Sequence, residues 1–194
     1  MGRVVKNRSA KRGLPPGTLI HIGRKSGREV RVTVTDYNES LYREEDVTTL
    51  RECLIHGDPA VVSWISVEGL HDIDVVRRIG ECQGLHPLVM EDVLNTDQRP
   101  KLEEYDDYVF IVLKVFRKWE GEDIAMEQAS IILGANYVIS FQEGINGDVF
   151  APVKERIRNG KGKIKGMGAD YLVYCLMDSV VDNYFAVLEE ARRR

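Results

Sequence analysis

The strongest constraint on the fold is a group of three β-rich runs that follow one another closely in the middle of the chain. They cover residues 105–119, 127–133 and 137–142, and each is rich in β-branched or aromatic side chains. Short turn sequences separate them, at residues 120–121 and 134–136. Because strands joined by short turns pair with their neighbours, the sequence predicts a three-stranded antiparallel meander here.

Patterns typical of both strands and helices surround this meander. Predicted strands cover residues 18–22, 29–35 and 61–67, and predicted helices cover residues 47–55, 72–82, 87–94, 149–157 and the segment from Asp170 onward. Elements in this order are typical of a sheet with helices on both faces. We therefore predict an α/β fold, a three-layer α/β/α sandwich with a mixed sheet, followed by long C-terminal helices.

Charge divides the chain into two unequal parts. The first 28 residues contain eight basic side chains and no acidic one, whereas the remainder holds 19 basic and 31 acidic side chains. We interpret residues 1–16 as a flexible basic tail and residues 17–165 as the α/β/α domain. Since the basic tail has no interleaved aromatic residues and the body is acidic, we expect no nucleic-acid partner.

The last predicted helix has a strong pattern up to Arg194, with no glycine or proline stop after Asp170. We expect residues 166–194 to be the start of a long helix that continues beyond this sequence. The apolar run at residues 171–188 is long enough to cross a bilayer, but each aspartate near a span centre costs about 2.5 to 3.5 kcal/mol. Because Asp178 and Asp182 interrupt the run, we do not expect it to span a membrane.

Two pairs of carboxylates point away from the apolar sides of their helices. At about 100° per residue, Asp178 and Asp182 lie opposite the apolar arc of the last helix, and Glu91 and Asp92 are directed outward from the helix at 87–94. Such acids are commonly a solvated face or a compensation of the helix dipole. The alternative is a hard cation shared by both pairs, because Mg²⁺ and Ca²⁺ prefer carboxylate oxygens. The residues alone leave both interpretations open.

Motifs for covalent or phosphate chemistry are absent from the sequence. The glycine- and lysine-rich segment 159–168 is not followed by the GK[ST] of a phosphate-binding loop, no HExxH pair occurs, and the three cysteines include no CxxC pair. A stand-alone Mg-dependent hydrolase that uses the two acidic pairs is the alternative function. It needs a base or a nucleophile that the sequence does not display, so we predict no enzymatic activity.

Long strings between residues 60 and 190 are specific enough to indicate a family. GLHPLVMEDVLNTDQRPKLEEYDDYVFIVLK spans residues 84–114, preceded by WISVEGLHD and followed by VISFQE, GDVF, ERIR and ADYLVYCLMDSVVDNYF. Together they resemble the cytoplasmic N-terminal domain of the CorA family of magnesium channels. The resemblance implies a cytoplasmic α/β/α domain of an inner-membrane protein, assembled as a homopentamer, whose stalk, two membrane helices and pore lie outside this sequence.

The resemblance also implies roles for the acidic residues. In this family divalent cations bind between neighbouring cytoplasmic domains and hold the pore closed when intracellular magnesium is high. Matched by motif, Asp92 serves the main regulatory site between subunits, whereas Glu91 and Asp178 serve a second site nearby, with Asp182 adjacent. The implied ligand is Mg²⁺, with Co²⁺ as an alternative, and the implied function is divalent-cation sensing for a CorA-like magnesium and cobalt transporter.

Overall fold

The computed structural model describes residues 12–23, 27, 29–47, 58–118, 124–145 and 147–192. The strands are β1 (Arg31–Tyr37), β2 (Tyr42–Asp46), β3 (Val62–Glu68), β4 (Lys101–Glu104), β5 (Val109–Lys118), β6 (Ile124–Leu133) and β7 (Tyr137–Gln142). The helices are α1 (Ile73–Cys82), α2 (Pro87–Leu94), α3 (Ala151–Arg158) and α4 (Ala169–Arg192). A short 3₁₀ turn at Ile164–Gly166 precedes α4.

The described strands join one mixed sheet of seven strands in the order β2-β1-β3-β7-β6-β5-β4. Neighbouring strands are antiparallel except β3 and β7, which run parallel with Trp64 opposite Val138. Strands β5, β6 and β7 pair in sequence order. The predicted antiparallel meander is therefore confirmed.

Each face of the sheet has its own core, because successive side chains of a strand point to opposite faces. Trp64 and Val138 pack with residues of α3 and α4, whereas Ile65 and Ile139 pack with residues of α1 and α2. All four side chains are fully buried. Helices on both faces of a mixed sheet make the three-layer α/β/α sandwich that the sequence predicts.

Some local predictions differ from the structure. Residues 18–22 do not form a strand, and within them only Ile22 makes an isolated parallel bridge, to Asn95. The strand predicted at residues 105–119 begins at Val109 instead, because residues 105–108 form the turn of a hairpin between β4 and β5. Strand β2 is not predicted, since its sequence YREED is almost entirely charged. The helix predicted at 47–55 lies almost wholly outside the described residues, as do residues 1–11 of the basic tail.

Helix α4 packs its first half on the sheet. Buried side chains from this half contact the core shared with α3, namely Leu172, Val173, Leu176 and Val180. The Ser179 hydroxyl donates to the Val149 carbonyl (2.8 Å), and the Tyr184 hydroxyl donates to the Lys114 carbonyl. Within the part of the chain that the structure describes, Ala169–Glu189 is also the one stretch of helix long and apolar enough to cross a membrane. The contacts with the sheet account for the apolar residues of its first half.

Candidate cation site

Helix α2 is held so that Glu91 and Asp92 lie at its half-buried border. Its start is capped by His86, whose Nδ1 accepts a hydrogen bond from the Leu88 amide (3.2 Å). Pro87 takes the first helical position, where a missing N–H costs little. The inner side of the helix is buried through Val89, Met90, Val93 and Leu94. The two carboxylates are therefore placed at the protein surface by an anchored helix.

Asp92 already has a cation beside it. Lys101 Nζ lies 2.6 Å from Asp92 Oδ2 and 2.7 Å from Glu103 Oε1, so one ammonium bridges two carboxylates. The side-chain amide of Gln98 donates to the other oxygen of Asp92. Burial lowers the pKa of Lys101, but the hydrogen bonds and charges of Asp92 and Glu103 outweigh it, so the pKa lies above its ordinary value. Lys101 is therefore a firmly charged counter-ion of a carboxylate that is 20% exposed.

A buried glutamine of the sheet fixes the backbone around Asp92. The Gln128 Nε2 group donates to the main-chain carbonyl of Asp92 (3.1 Å), and Gln128 Oε1 accepts from the main-chain N–H of Gln98 (3.2 Å). Gln128 itself is only 1% exposed, and both bonds are part-buried. These two hydrogen bonds join the end of α2 to the segment that leads into β4 and so hold Lys101 within reach of Asp92.

Glu91 contacts the N-terminal segment. Its Oε2 accepts a hydrogen bond from the Gly17 amide at 2.6 Å. Gly17 has a φ of +82°, and a Cβ there would lie 3.2 Å from the Cβ of Pro87, so a glycine suits this approach. The donor in this bond is a neutral main-chain group, unlike the ammonium that holds Asp92.

The second acidic pair lies on α4. Asp178 is half-buried and Asp182 is exposed. Asp182 lines a cavity of about 300 Å³ between α3 and α4, together with Asp148, Arg156 and Asn183. Within the described ranges, neither Asp178 nor Asp182 forms an ion pair. Both carboxylates are thus placed where an ion can reach them from solvent.

The two acidic pairs lie on opposite faces of the sheet. Helix α2, which carries Glu91 and Asp92, packs on the face of α1, and helix α4, which carries Asp178 and Asp182, packs on the face of α3. Over the described residues, no group of three or more His, Cys, Asp and Glu side chains is arranged to hold a metal ion. One chain by itself therefore does not bring the two pairs together.

The groups that surround Asp92 are not predicted from the sequence. Gln98 and Lys101 follow it by six and nine residues, and Gln128 by thirty-six. One signal is present in the sequence: Pro100 ends the loop, so Lys101 begins the next strand. That signal places the backbone of Lys101 but does not say which carboxylate its side chain contacts.

Relatives of known name match the chain over most of its length. A sequence model of the family described as CorA-like Mg²⁺ transporter protein matches residues 59–194. The cobalt/magnesium transport protein CorA of Thermotoga maritima is 47% identical over 186 residues, which cover 95% of this chain and 52% of that protein. The magnesium transporter ALR2 of Saccharomyces cerevisiae is 26% identical over 147 residues, which cover 73% of this chain and 16% of that protein. The chain thus spans about half the length, or less, of these curated relatives.

Solved structures share the fold at low sequence identity. The full-length CmaX protein has a TM-score of 0.66 at 18% identity, over 86% of this chain and 50% of that chain. The soluble domain of CorA from Methanocaldococcus jannaschii has a TM-score of 0.60 at 14% identity, over 82% of this chain and 60% of that chain. These two likenesses establish the fold, and the family match covers well over half of the chain. The chain therefore belongs to the family of CorA-like Mg²⁺ transporter proteins.

Proposed function

We propose that this chain is the cytoplasmic, divalent-cation-sensing domain of a CorA-like magnesium and cobalt transporter of the inner membrane. In the proposed assembly the domain works in a homopentamer, and the stalk, membrane helices and pore belong to the rest of the transporter. Its task is regulation by Mg²⁺ or Co²⁺, not enzymatic catalysis. Family membership supports the transporter context, and the acidic residues support the sensing role.

The placement of the two acidic pairs on opposite faces of the sheet carries this proposal. In a ring of identical subunits, each copy turns one surface to one neighbour and a different surface to the other. Helices α2 and α4 lie on opposite faces of the sheet. In the proposed ring, α2 of one copy faces α4 of the next and brings Glu91 and Asp92 toward Asp178 and Asp182. Repulsion between these carboxylates becomes bridging once a divalent cation is bound between them.

The donor atoms suit a hard divalent cation held weakly. Mg²⁺ takes oxygen ligands, keeps several waters and needs only one or two carboxylates. Glu91 and Asp92 supply that number from partly exposed positions. Because Asp92 is paired with Lys101 and Glu91 accepts from Gly17, binding has to displace these internal donors. The resulting weak affinity suits a sensor that has to release the ion when the internal concentration falls.

Regulation follows from a difference in affinity between two arrangements of the ring. If the arrangement with a closed pore brings the carboxylates of α2 closer to those of α4 in the neighbouring copy, it binds divalent cations better and becomes more populated as their concentration rises. The chain contributes the carboxylates and the interface, and the rest of the transporter contributes the gate. Internal magnesium thereby limits its own entry.

The hydrolase alternative receives no support from the structure or the relatives. The two acidic pairs do not converge in the described part of one chain, and the named relatives are transporters. Release of phosphate from Mg²⁺-bound nucleotides by the purified chain would be the observation in its favour.

Substitution Asp92→Ala in the full-length transporter tests the proposal. We expect weaker inhibition of Mg²⁺ uptake by internal Mg²⁺, because a loss of about 1.4 kcal/mol of coupling changes the closed-to-open ratio roughly tenfold. The measurement is flux into proteoliposomes over a series of internal Mg²⁺ concentrations. Asp46→Ala, which makes the same charge change on β2 at the other edge of the sheet, is the matched control. A variant at Asp92 that closes at the same internal Mg²⁺ as the parent contradicts the proposal.

A further inference from the structure

The ammonium of Lys101 occupies the place beside Asp92 that an incoming cation needs. Its Nζ lies 2.6 Å from Asp92 Oδ2 and 2.7 Å from Glu103 Oε1. We propose that Lys101 is a specificity-determining residue, a tethered counter-cation that competes with free cations for Asp92 and makes this carboxylate respond to divalent rather than monovalent ions. This inference rests on the proposed function, because it takes Asp92 to be a cation ligand.

The position of Lys101 is fixed by the strand that carries it. Lys101 is the first residue of β4 and pairs with Val112 of β5 in the antiparallel register. Its Nζ lies 5.3 Å from the centre of the Phe110 ring, and Phe110 is fully buried. Glu103, two residues further along the same strand, has its side chain on the same side as that of Lys101. Strand β4 therefore keeps the ammonium near both carboxylates even when it is not paired with Asp92.

A tethered ammonium has a high effective concentration at its partner. K⁺ and Na⁺ carry the same single charge as the ammonium and so gain no electrostatic advantage when they compete with it. A divalent cation gains about twice the Coulomb energy at the same distance and can displace it. Lys101 therefore weakens the binding of every competing cation to Asp92 by the same factor. The monovalent ions, which bind one carboxylate more weakly to begin with, are the first to lose measurable occupancy.

Glu103 gives the displaced ammonium a second partner. It already accepts from Lys101, and its side chain is 41% exposed, so it can receive the whole ammonium without burying a new charge. When Asp92 takes a divalent cation, Lys101 keeps an ion pair and no unpaired charge is left behind. The exchange thus replaces one counter-ion of Asp92 by another instead of breaking the cluster open.

Substitution Lys101→Met in the purified full-length transporter tests this role by calorimetric titration with MgCl₂ alone. We expect Mg²⁺ affinity to rise about three- to fivefold, the size of one partly exposed ion pair. We also expect the affinity of the variant to fall more steeply in KCl than in tetramethylammonium chloride at equal ionic strength, since K⁺ now reaches Asp92. The wild-type chain is expected to show the same affinity in both salts.

Controls separate the ion competition from changes in charge and folding. Lys101→Arg keeps the charge and is expected to retain the wild-type affinity and salt response, and Arg43→Met removes a positive charge from exposed strand β2 and is expected to change neither. The higher Mg²⁺ affinity and the stronger KCl dependence of Lys101→Met are both expected to vanish when Asp92→Asn is added. Lys101→Gln carries the same expectation as Lys101→Met, should the apolar variant unfold.

The outcomes distinguish this inference from the proposed function. Unchanged or weaker Mg²⁺ binding by Lys101→Met, including no binding where the wild-type chain shows none, overturns the role of Lys101. A gain that persists with Asp92→Asn also overturns it. Wild-type Mg²⁺ binding that Asp92→Asn leaves intact removes Asp92 from the site and contradicts the proposed function itself.

Discussion

Two lysines of this protein hold pairs of carboxylates in nearly the same geometry but in different surroundings. Each ammonium lies 2.6–2.8 Å from two carboxylate oxygens. Each also lies near an aromatic ring, Lys101 at 5.3 Å from Phe110 and Lys154 at 5.7 Å from Trp64. The Lys101 side chain is 25% exposed, however, and that of Lys154 only 12%. The comparison shows how burial changes what one arrangement of charges does.

The Lys154 cluster, formed by Lys154, Asp148 and Glu68, is closed. Asp148 also accepts hydrogen bonds from the Gln142 side chain (2.6 Å) and the Phe150 amide (2.8 Å). The Lys154 cluster joins α3 to the end of β3 and lies within the fold, with side chains no more than 22% exposed. Removing one member leaves a charge without its partner in a poorly hydrated place. This cluster therefore serves stability.

The Lys101 cluster, formed by Lys101, Asp92 and Glu103, is open on one side. Its most exposed member, Glu103, can retain the ammonium while water reaches Asp92. Losing one contact here is partly compensated by solvent, so the cluster contributes little to stability. The same three-charge unit is thus suited to exchange of ions in one place and to holding secondary structure together in the other.

The largest expected difference between the clusters is in stability. Lys154→Met is expected to lower the free energy of unfolding by about 3 kcal/mol, because it leaves Asp148 and Glu68 without their cation. Lys101→Met is expected to lower it by less than about 1 kcal/mol. Urea denaturation of both variants measures the two losses, and equal losses would contradict the distinction between closed and open clusters.

Acid titration is expected to distinguish the two clusters by the pH dependence of stability. Burial raises the pKa of Asp148. The charge of Lys154 and the hydrogen bonds to the carboxylate lower this pKa by a larger amount, so the pKa lies below its ordinary value. A depressed pKa gives stability that is present above the unfolded value of about 3.9 and is lost as pH falls through the folded value. Asp148→Asn is therefore expected to flatten the acid limb of stability below about pH 4. Its free energy of unfolding is measured from pH 2 to pH 7, and an unchanged slope would rule out this role of Asp148.

Salt is expected to produce the smallest difference. Added KCl screens exposed charges more than buried ones. The stability loss of Lys101→Met is expected to shrink by a few tenths of a kcal/mol at high salt, and that of Lys154→Met to stay nearly constant. Urea denaturation at low and high KCl gives both values. A loss at Lys154 that is screened as strongly as the loss at Lys101 would show that its cluster is also open to solvent.

Much of the fold follows from local sequence patterns. The runs that form β5 and β7 are rich in β-branched and aromatic residues because both faces of these strands are covered by helices. Strand β2 escapes prediction because it is an edge strand, where pairing with β1 suffices and charged side chains face solvent, as the exposed pair Arg43 and Glu45 shows. Burial on both sides leaves a signal in the sequence, and an edge leaves little.

The candidate site is only half predictable for a related reason. The outward direction of Asp92 and Asp178 follows from the helical period, which is a local property. The contact between Asp92 and Lys101 depends on the β4–β5 hairpin and on the hydrogen bonds of Gln128, which join segments distant in sequence. The relation between α2 and α4 depends on the whole sandwich. Such contacts are set by tertiary packing, so no local pattern specifies them.

Mixing two defective transporters tests whether the cation sites form between subunits. One carries Asp92→Asn and the other Asp178→Asn, and they are reconstituted as mixed rings, with flux measured against internal Mg²⁺. If the sites form between copies, some interfaces in the mixed rings join an intact Asp92 to an intact Asp178, and inhibition by Mg²⁺ is expected to recover in part relative to either variant alone. If mixed rings respond no better than the two single-variant rings, the carboxylates of α2 and α4 do not share an ion between subunits, which contradicts the proposed function.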